Sequence, residues 1–307
     1  GGEGIGRVTK PGLKVSIGQA AINPVPMEMI TSAIQETCAM LSYTRGIIAV
    51  ISIPGGEEVA KRTMNSRLGI VGGLSVLGTT GIVEPMSERA IIDTIKADID
   101  VQIASVPEHC TDDSKPLLIA PGNYGKDFAE RELGLDIKNA VKCSNFIGET
   151  LDYLCIRGVR SIKLVGHAGK LIKLAGGIMN THSHTADCRM EILAAHAALN
   201  GASQQTIEKI MDCINTVAAI DVIKELDNAA AIWESLSRRI DFHISERTRG
   251  ELAVEYIVFT LEHGILIHSK TARVESVTTA SANQDPDPCE GSGQNNTEQD
   301  NYQNGAS

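Results

Sequence analysis

Residues 165 to 184 read VGHAGKLIKLAGGIMNTHSH, and the residue types in that stretch support three different chemistries. Lys170 and Lys173 stand one helical turn apart, where two amines either hold carboxylates or form the solvated face of an amphipathic helix. His182 and His184, with Asp187 close behind, make a partial metal set. Their rings fall on one side only if the segment is a strand, and a convincing site needs a third or fourth ligand. His167 follows an apolar run, where a turn would leave its ring at a sheet edge.

Two other short segments share this character. Gly122-Asn123-Tyr124-Gly125 and Lys142-Cys143-Ser144-Asn145 each follow an apolar run, as does Gly166-His167-Ala168-Gly169-Lys170. In an open parallel sheet, ligands bind beyond the carboxyl ends of the strands, so three polar, small-residue loops after three strands predict a site. Each has a plain structural reading as well. Glycines after strands serve turn geometry, and Ser144 and Asn145 are good helix N-caps in any protein. Cys143 sits where a thiol pKa is open to lowering, but no histidine is adjacent, and a buried thiol is the favoured reading. The glycines between 69 and 81 do not fit Gly-x-Gly-x-x-Gly, and no P-loop occurs. Glu84 reads either as a ribose acceptor or as an exposed turn carboxylate.

The elements that must position these groups follow from periodicity. Residues 2–18 carry the Gly and Pro punctuation of short strands and tight turns. Asn23 and Pro24 open a helix that runs to Leu41. Residues 46–54, GIIAVISIP, read as a buried strand, and 69–85 as strand-like but broken by glycines. From Ser87 onward helices and strands alternate: a helix over 87–104, strands at 116–122, 140–144 and 161–167, and helices over 125–135, 145–158 and 168–177. That alternation predicts crossovers and a parallel sheet. Residues 186–247 read as helical in two or three segments, and 251–260 and 263–269 as closing strands. The fold class is therefore α/β (mixed α+β), with an N-terminal α+β domain over 1–85, an α/β domain with a largely parallel sheet and a helical C-terminal part over 86–275, and a disordered acidic tail over 276–307.

Composition narrows the function classes. The chain has 28 Lys and Arg against 38 Asp and Glu, and half of that excess lies in the tail. Aromatics make up 3%, and no basic stripe occurs, which argues against nucleic acid as a partner. No apolar run is long enough for a bilayer and the first residues do not form a signal peptide, so no membrane partner and a cytoplasmic location are expected. Seven cysteines, odd in number and never spaced Cys-x-x-Cys, predict buried thiols in place of disulfides or a zinc knuckle.

Seven segments taken together carry a resemblance: GEGIGRVTKPGL (2–13), AINPVP (21–26), PGGEEVAKRT (54–63), RLGIVGGLSVLGTTGIVEPMS (67–87), PGNYG (121–125), VKCSNFIGE (141–149) and VGHAGKLIKLAGGIMNTHS (165–183). In order and in detail they resemble the CbiD family, the cobalt-precorrin-5B C1-methyltransferases of anaerobic cobalamin biosynthesis. The resemblance runs over residues 1 to 270. It implies methyl transfer from S-adenosyl-L-methionine to carbon 1 of cobalt-precorrin-5B, a polycarboxylate tetrapyrrole, giving cobalt-precorrin-6A. It also implies a first domain incomplete at its start, since family members carry further residues before GEGIG, and a departure at Met27, where the family is commonly basic. The family lacks the usual glycine-rich methyltransferase fingerprint, in keeping with its absence here.

On this reading Lys61, Arg62, Lys142, Lys170 and Lys173 are the candidates for substrate carboxylates. Gly122, Asn123, Gly125, Ser144, Asn145, Gly166 and Gly169 are the candidates for the methyl donor. His167 is the catalytic candidate, either accepting the proton released at the ring or orienting the reactants. Cobalt arrives with the substrate, so no protein metal site is required. A single chain and a homo-oligomer are both compatible with the sequence. Two other functions stay open at this point: a non-catalytic tetrapyrrole carrier, and a metal-dependent hydrolase built on His167, His182, His184 and Asp187.

Overall fold

A computed structural model describes residues 1–78 and 87–269. The tail 276–307, Gly81 and Glu84 lie outside the described residues. The strands are β1 (Arg7–Val8), β2 (Ile70–Val71), β3 (Leu117–Ala120), β4 (Val141–Lys142), β5 (Ser161–His167), β6 (Ala253–Thr260) and β7 (Gly264–His268). The α-helices are α1 (Pro24–Met40), α2 (Gly56–Ala60), α3 (Glu88–Ser105), α4 (Asn123–Arg131), α5 (Ile147–Ile156), α6 (Ala168–Leu171), α7 (Arg189–Leu199), α8 (Gln204–Met211), α9 (Thr216–Lys224) and α10 (Ala229–Thr248). Fold class and alternation are as the sequence predicts: a mixed α/β chain with a five-stranded sheet in the order β4-β3-β5-β6-β7, parallel except for β7.

The period-2 pattern explains why that sheet is buried on both faces. In β5, Ile162 and Leu164 enter the larger core while Val165 enters a second one, and in β6 Tyr256 and Val258 divide from Ile257 and Phe259 in the same way. Helix α4 covers the smaller core with Phe128 and Ala129, and α5 covers the other face with Ile147, Leu151 and Leu154. Each such large side chain contributes roughly 1.5–3 kcal/mol by burial. The chain leaves β3 through α4 to β4 on one side, then returns through α5 to β5 on the other. The point of reversal, where open α/β sheets bind ligands, falls between the carboxyl ends of β3 and β5.

Residues 46–54 correct the sequence reading. They form no strand, and Ile47, Ile48 and Val50 are 51%, 92% and 65% exposed. A β-branched run supplies strand propensity but not a neighbour. Sheet-like bonds reach only its far end, from Gly2 N–H to the Ile51 carbonyl (2.8 Å) and from Ile53 N–H to that of Glu3 (2.8 Å). Helix α1 starts at Pro24 as expected but buries no residue completely. A small core of Val8, Ala21, Leu68, Ile70 and Val101 joins the β1–β2 pair to α3.

Candidate functional site

The loops after β3, β4 and β5 meet at the sheet's carboxyl edge, and Lys170 ties them together. Its amine donates to the carbonyls of Pro121 (2.6 Å) and Ser144 (3.3 Å), so one half-buried cation fixes the ends of β3 and β4 against α6. Burial pulls its pKa below the usual lysine value. Beside it, Lys142 donates to Asn123 Oδ1 (2.5 Å). Burial and then Lys126 and Arg67 lower its pKa too. The structure therefore brings Gly122, Asn123, Lys142, Ser144, His167 and Lys170 to one edge.

His167 ends β5 and caps α6. Its Nδ1 accepts from the Gly169 N–H (3.1 Å), which leaves the neutral ring's proton on Nε2. The Nδ1 lone pair is thereby engaged, and burial, then Arg189, lowers the ring's pKa below its ordinary 6.5. What the geometry offers is a neutral Nε2–H donor. The ring stands edge-on to Phe259 (5.8 Å between centroids) and 6.5 Å from that of Tyr124.

Several predicted positions go elsewhere. Lys173 is neither a solvated residue nor free for a substrate carboxylate. Its side chain is 2% exposed, its amine donates to the carbonyls of Thr181 (3.1 Å) and Ala186 (2.7 Å), and it lies 3.8 Å from Asp187. Lys61 pairs with Glu58 (2.5 Å), and both it and Arg62 are exposed beyond α2; no hydrogen bond or ion pair joins either to that edge among the described residues. Ser144 and Asn145 cap no helix, because α5 begins after Phe146 and Ser144 has φ 54°. Asn145 instead accepts from Thr181, through its carbonyl (2.9 Å) and Oδ1 (3.3 Å). Cys143 is buried and its thiol is pushed up to about 12 by burial, whereas Cys188 is exposed, contrary to expectation.

His182 and His184 are exposed and face each other, the His184 N–H donating to His182 Nδ1 (3.2 Å). Asp187 is occupied by Arg189 Nη2 (2.9 Å) and by Lys173, so these groups do not assemble as a ligand set. Arg189 is the residue that sequence reasoning missed. Its Nη1 donates to Thr216 (3.1 Å), and a side chain built on Gly169 would meet it at 3.7 Å. Nothing in its spacing from residues 166–169 marks it.

The glycines divide into two kinds. A Cβ at Gly125 would lie 2.3 Å from the Val165 carbonyl oxygen, and one at Gly166 would lie 2.8 Å from Leu171 Cγ, so both serve close packing and not approach to a ligand. At Gly122 (φ 133°) a Cβ meets only Lys170 Nζ, at 3.9 Å. Gly125→Ala is accordingly expected to cost about 2 kcal/mol or more of stability, because the neighbour is backbone and cannot yield. Urea denaturation checks this, and a midpoint equal to wild type would contradict it.

Comparison with known proteins bears on the chain as a whole. The family model described as CbiD matches residues 1–85, and that described as CbiD, C-terminal domain, matches residues 180–270. A protein of Ruminiclostridium cellulolyticum named cobalt-precorrin-5B C(1)-methyltransferase is 50% identical over 85% of this chain and 66% of its own length. One of Alkaliphilus metalliredigens with the same name is 43% identical over 89% of this chain and 69% of its own. A crystal structure of a cobalamin biosynthesis protein (cbiD) from Archaeoglobus fulgidus is 27% identical, covering 57% of this chain and 51% of that one, with a TM-score of 0.24. The chain thus spans about two thirds of the length of the curated relatives it matches. With identity of 43% to 50% spread over most of its length, and both family models matched in order, the chain belongs to the CbiD family.

Proposed function

We propose that this chain transfers a methyl group from S-adenosyl-L-methionine to carbon 1 of cobalt-precorrin-5B, giving cobalt-precorrin-6A. The observation that carries this reading is the 50% identity to a relative of that name over 85% of the chain. The sheet edge between β3 and β5 is where the donor is placed: it is the sheet's reversal point, a Cβ at Gly122 would meet only Lys170 Nζ, and Asn123, Ser144 and His167 stand at the same edge. When bound, S-adenosylmethionine supplies an electrophilic methyl group. The substrate brings its own cobalt.

In-line transfer to carbon asks the protein for alignment, which contributes on the order of 7 kcal/mol or more in favourable cases. Lys170 provides rigidity by holding two loop carbonyls and thus acts as a positioning residue. Lys142, whose side-chain acceptor is the neutral Asn123, is the amine placed for a substrate carboxylate. His167 donates its Nε2–H toward the reactants, and Lys61, Arg62 and Lys173 drop out of the substrate set. The division into domains 1–85 and 86–275 belongs to this proposal, although the small core around Val8 and Ile70 takes in Val101 of α3 and so crosses that boundary.

Incubating the purified chain with cobalt-precorrin-5B and S-adenosylmethionine should give a product one methyl group heavier, located at carbon 1. No methylated product, with the macrocycle still bound, would leave the carrier reading in its place. His167→Ala should lower kcat by about 10²-fold with stability nearly unchanged, as for loss of one oriented donor. Because the His167 pKa lies below 6.5, the rate should hold through neutral pH and fall only in acid, as the ring is protonated.

A further inference from the structure

The chain has few aromatic residues, yet four rings run in series to the edge of the sheet. Phe128 stacks on Phe259 (3.8 Å between centroids, 12° between planes), Phe259 meets His167 at 87°, and His167 stands beside Tyr124. The phenylalanines are buried, His167 is half-buried, and Tyr124 is 65% exposed at the start of α4. The inner rings are fixed by packing and by the bond from Gly169 N–H to His167, so the outermost ring rests on a rigid support. An aromatic face held this way at a site mouth suits a flat partner.

Two amines stand on the adjoining segments, Lys126 two residues further along α4 and Lys142 bonded to Asn123, the residue before Tyr124. Asn123, which accepts from Lys142, and Lys126 lie three residues apart on one face of α4, and Lys126 is close enough to act on the Lys142 amine. Neither amine has a carboxylate within 4.0 Å among the described residues; Asp127 and Asp98 act on Lys142 only from farther off. Two neighbouring ammonium groups without a direct counter-ion repel, and an anion placed between them relieves that repulsion.

We infer that Tyr124 is the face on which the planar macrocycle lies, with Lys126 and Lys142 receiving carboxylates at its rim. The sheet edge between Gly122 and His167 is then left to the methyl donor. This assignment rests on the methyltransferase reading and adds to it which loop takes which partner.

The test uses two probes on the whole chain: cobalt uroporphyrin, a flat octacarboxylate, followed by absorbance, and S-adenosylhomocysteine, followed by calorimetry. Tyr124→Ala should raise the Kd for cobalt uroporphyrin about tenfold or more, the usual cost of losing one stacking ring. Tyr124→Phe should bind within about twofold of wild type, since the ring and not the hydroxyl carries the contact. The Lys126→Ala, Lys142→Ala double variant should weaken the same probe and flatten its dependence on salt. Tyr124→Ala should leave the affinity for S-adenosylhomocysteine unchanged, and Tyr124 is exposed, so folding is not at stake; the double variant is read on cobalt uroporphyrin alone, because Lys142 also holds Asn123. Loss of S-adenosylhomocysteine binding in Tyr124→Ala, with cobalt uroporphyrin affinity retained, would overturn the assignment while sparing the methyltransferase reading. If wild type binds neither probe, both fail; if it binds cobalt uroporphyrin alone, the methyltransferase reading fails and the Tyr124 series still decides the stacking face.

Discussion

Replacing Lys173 with Ala is expected to destabilise the fold by about 3–5 kcal/mol, although lysine at a helix surface is normally a neutral site to change. Two opposing effects set the figure. Enclosing an ammonium group costs free energy, and that cost shows in a pKa lowered chiefly by burial. Against it stand two bonds from a charged donor, to Thr181 and Ala186, each worth roughly 1.5–3 kcal/mol, and the packing of a four-carbon stem. The bonds win because the side chain is 2% exposed and its removal leaves the carbonyl of buried Thr181 without that donor. Lys173→Met restores the stem but no donor and should lose about 2 kcal/mol. The local readout is amide exchange at Ile178 and Thr181, which bond to the Lys173 and Asn145 carbonyls and should exchange faster in both variants. A stability change below about 1 kcal/mol in Lys173→Ala would show that the amine is not a staple. The pH dependence has a definite sign. The unfolded chain holds the Lys173 proton more tightly than the folded one, so this residue's contribution to stability rises as pH is raised toward 10.5.

That lysine also shows where the sequence stops being informative. Strand β5 is legible to the residue, Ser161–His167, because a run buried on both faces writes apolar residues at every position the sheet needs. The helix after it reads as one amphipathic segment, with Lys170 and Lys173 on a common face. In the structure α6 lasts four residues and continues as a 3₁₀ turn over Ile172–Gly176, which changes the period and sends the two amines to different carbonyls. No propensity marks that change. It is imposed by the 177–188 segment folding back over the turn. Residues 46–54 fail for the opposite reason, since their local preference is strong and the pairing that would satisfy it is not local.

The site was legible in its address and not in its chemistry. Three polar loops after three apolar runs located the edge, and Gly122, Asn123, Lys142, Ser144, His167 and Lys170 do meet there. What each group does depends on its partners across the fold. Lys170 is committed to two carbonyls, His167 to Gly169, and Arg189 enters from a helix more than twenty residues along the chain. The His182 and His184 pair had the most suggestive spacing but makes only a local contact.

Asp98→Ala should cost about 3–5 kcal/mol as well, and it should disturb Lys142 at a distance. Asp98 is 0% exposed on α3, within 2.9 Å of Arg67 Nη2 through Oδ2, and accepts from Arg67 Nε (3.2 Å) and Gln102 Nε2 (3.1 Å) through Oδ1. The Nη2 contact is an ion pair off the hydrogen-bond axis. Removing the carboxylate leaves a guanidinium that is 17% exposed without its anion, and desolvation of that unpaired charge sets the loss. A full replacement, Arg67→Met with Asp98→Leu, should lie within about 1–2 kcal/mol of wild type, because burying the pair yields little net stability over a hydrophobic pair of similar volume. The double-mutant cycle should therefore show a coupling of 1 kcal/mol or more by the usual scale for partners in contact. The pair also lies between the small N-terminal core and the edge of the main sheet. Arg67 already lowers the Lys142 pKa and Asp98 raises it. Without Asp98 one of the two attractions that offset Lys126 and Arg67 is lost, so the Lys142 amine should titrate at lower pH than in wild type, which NMR of selectively labelled lysines resolves. An unchanged Lys142 titration in a variant that has lost several kcal/mol would mean that the pair supports the fold but not the site. A joint loss would make it the link through which the first 78 residues shape the charge at the sheet's carboxyl edge.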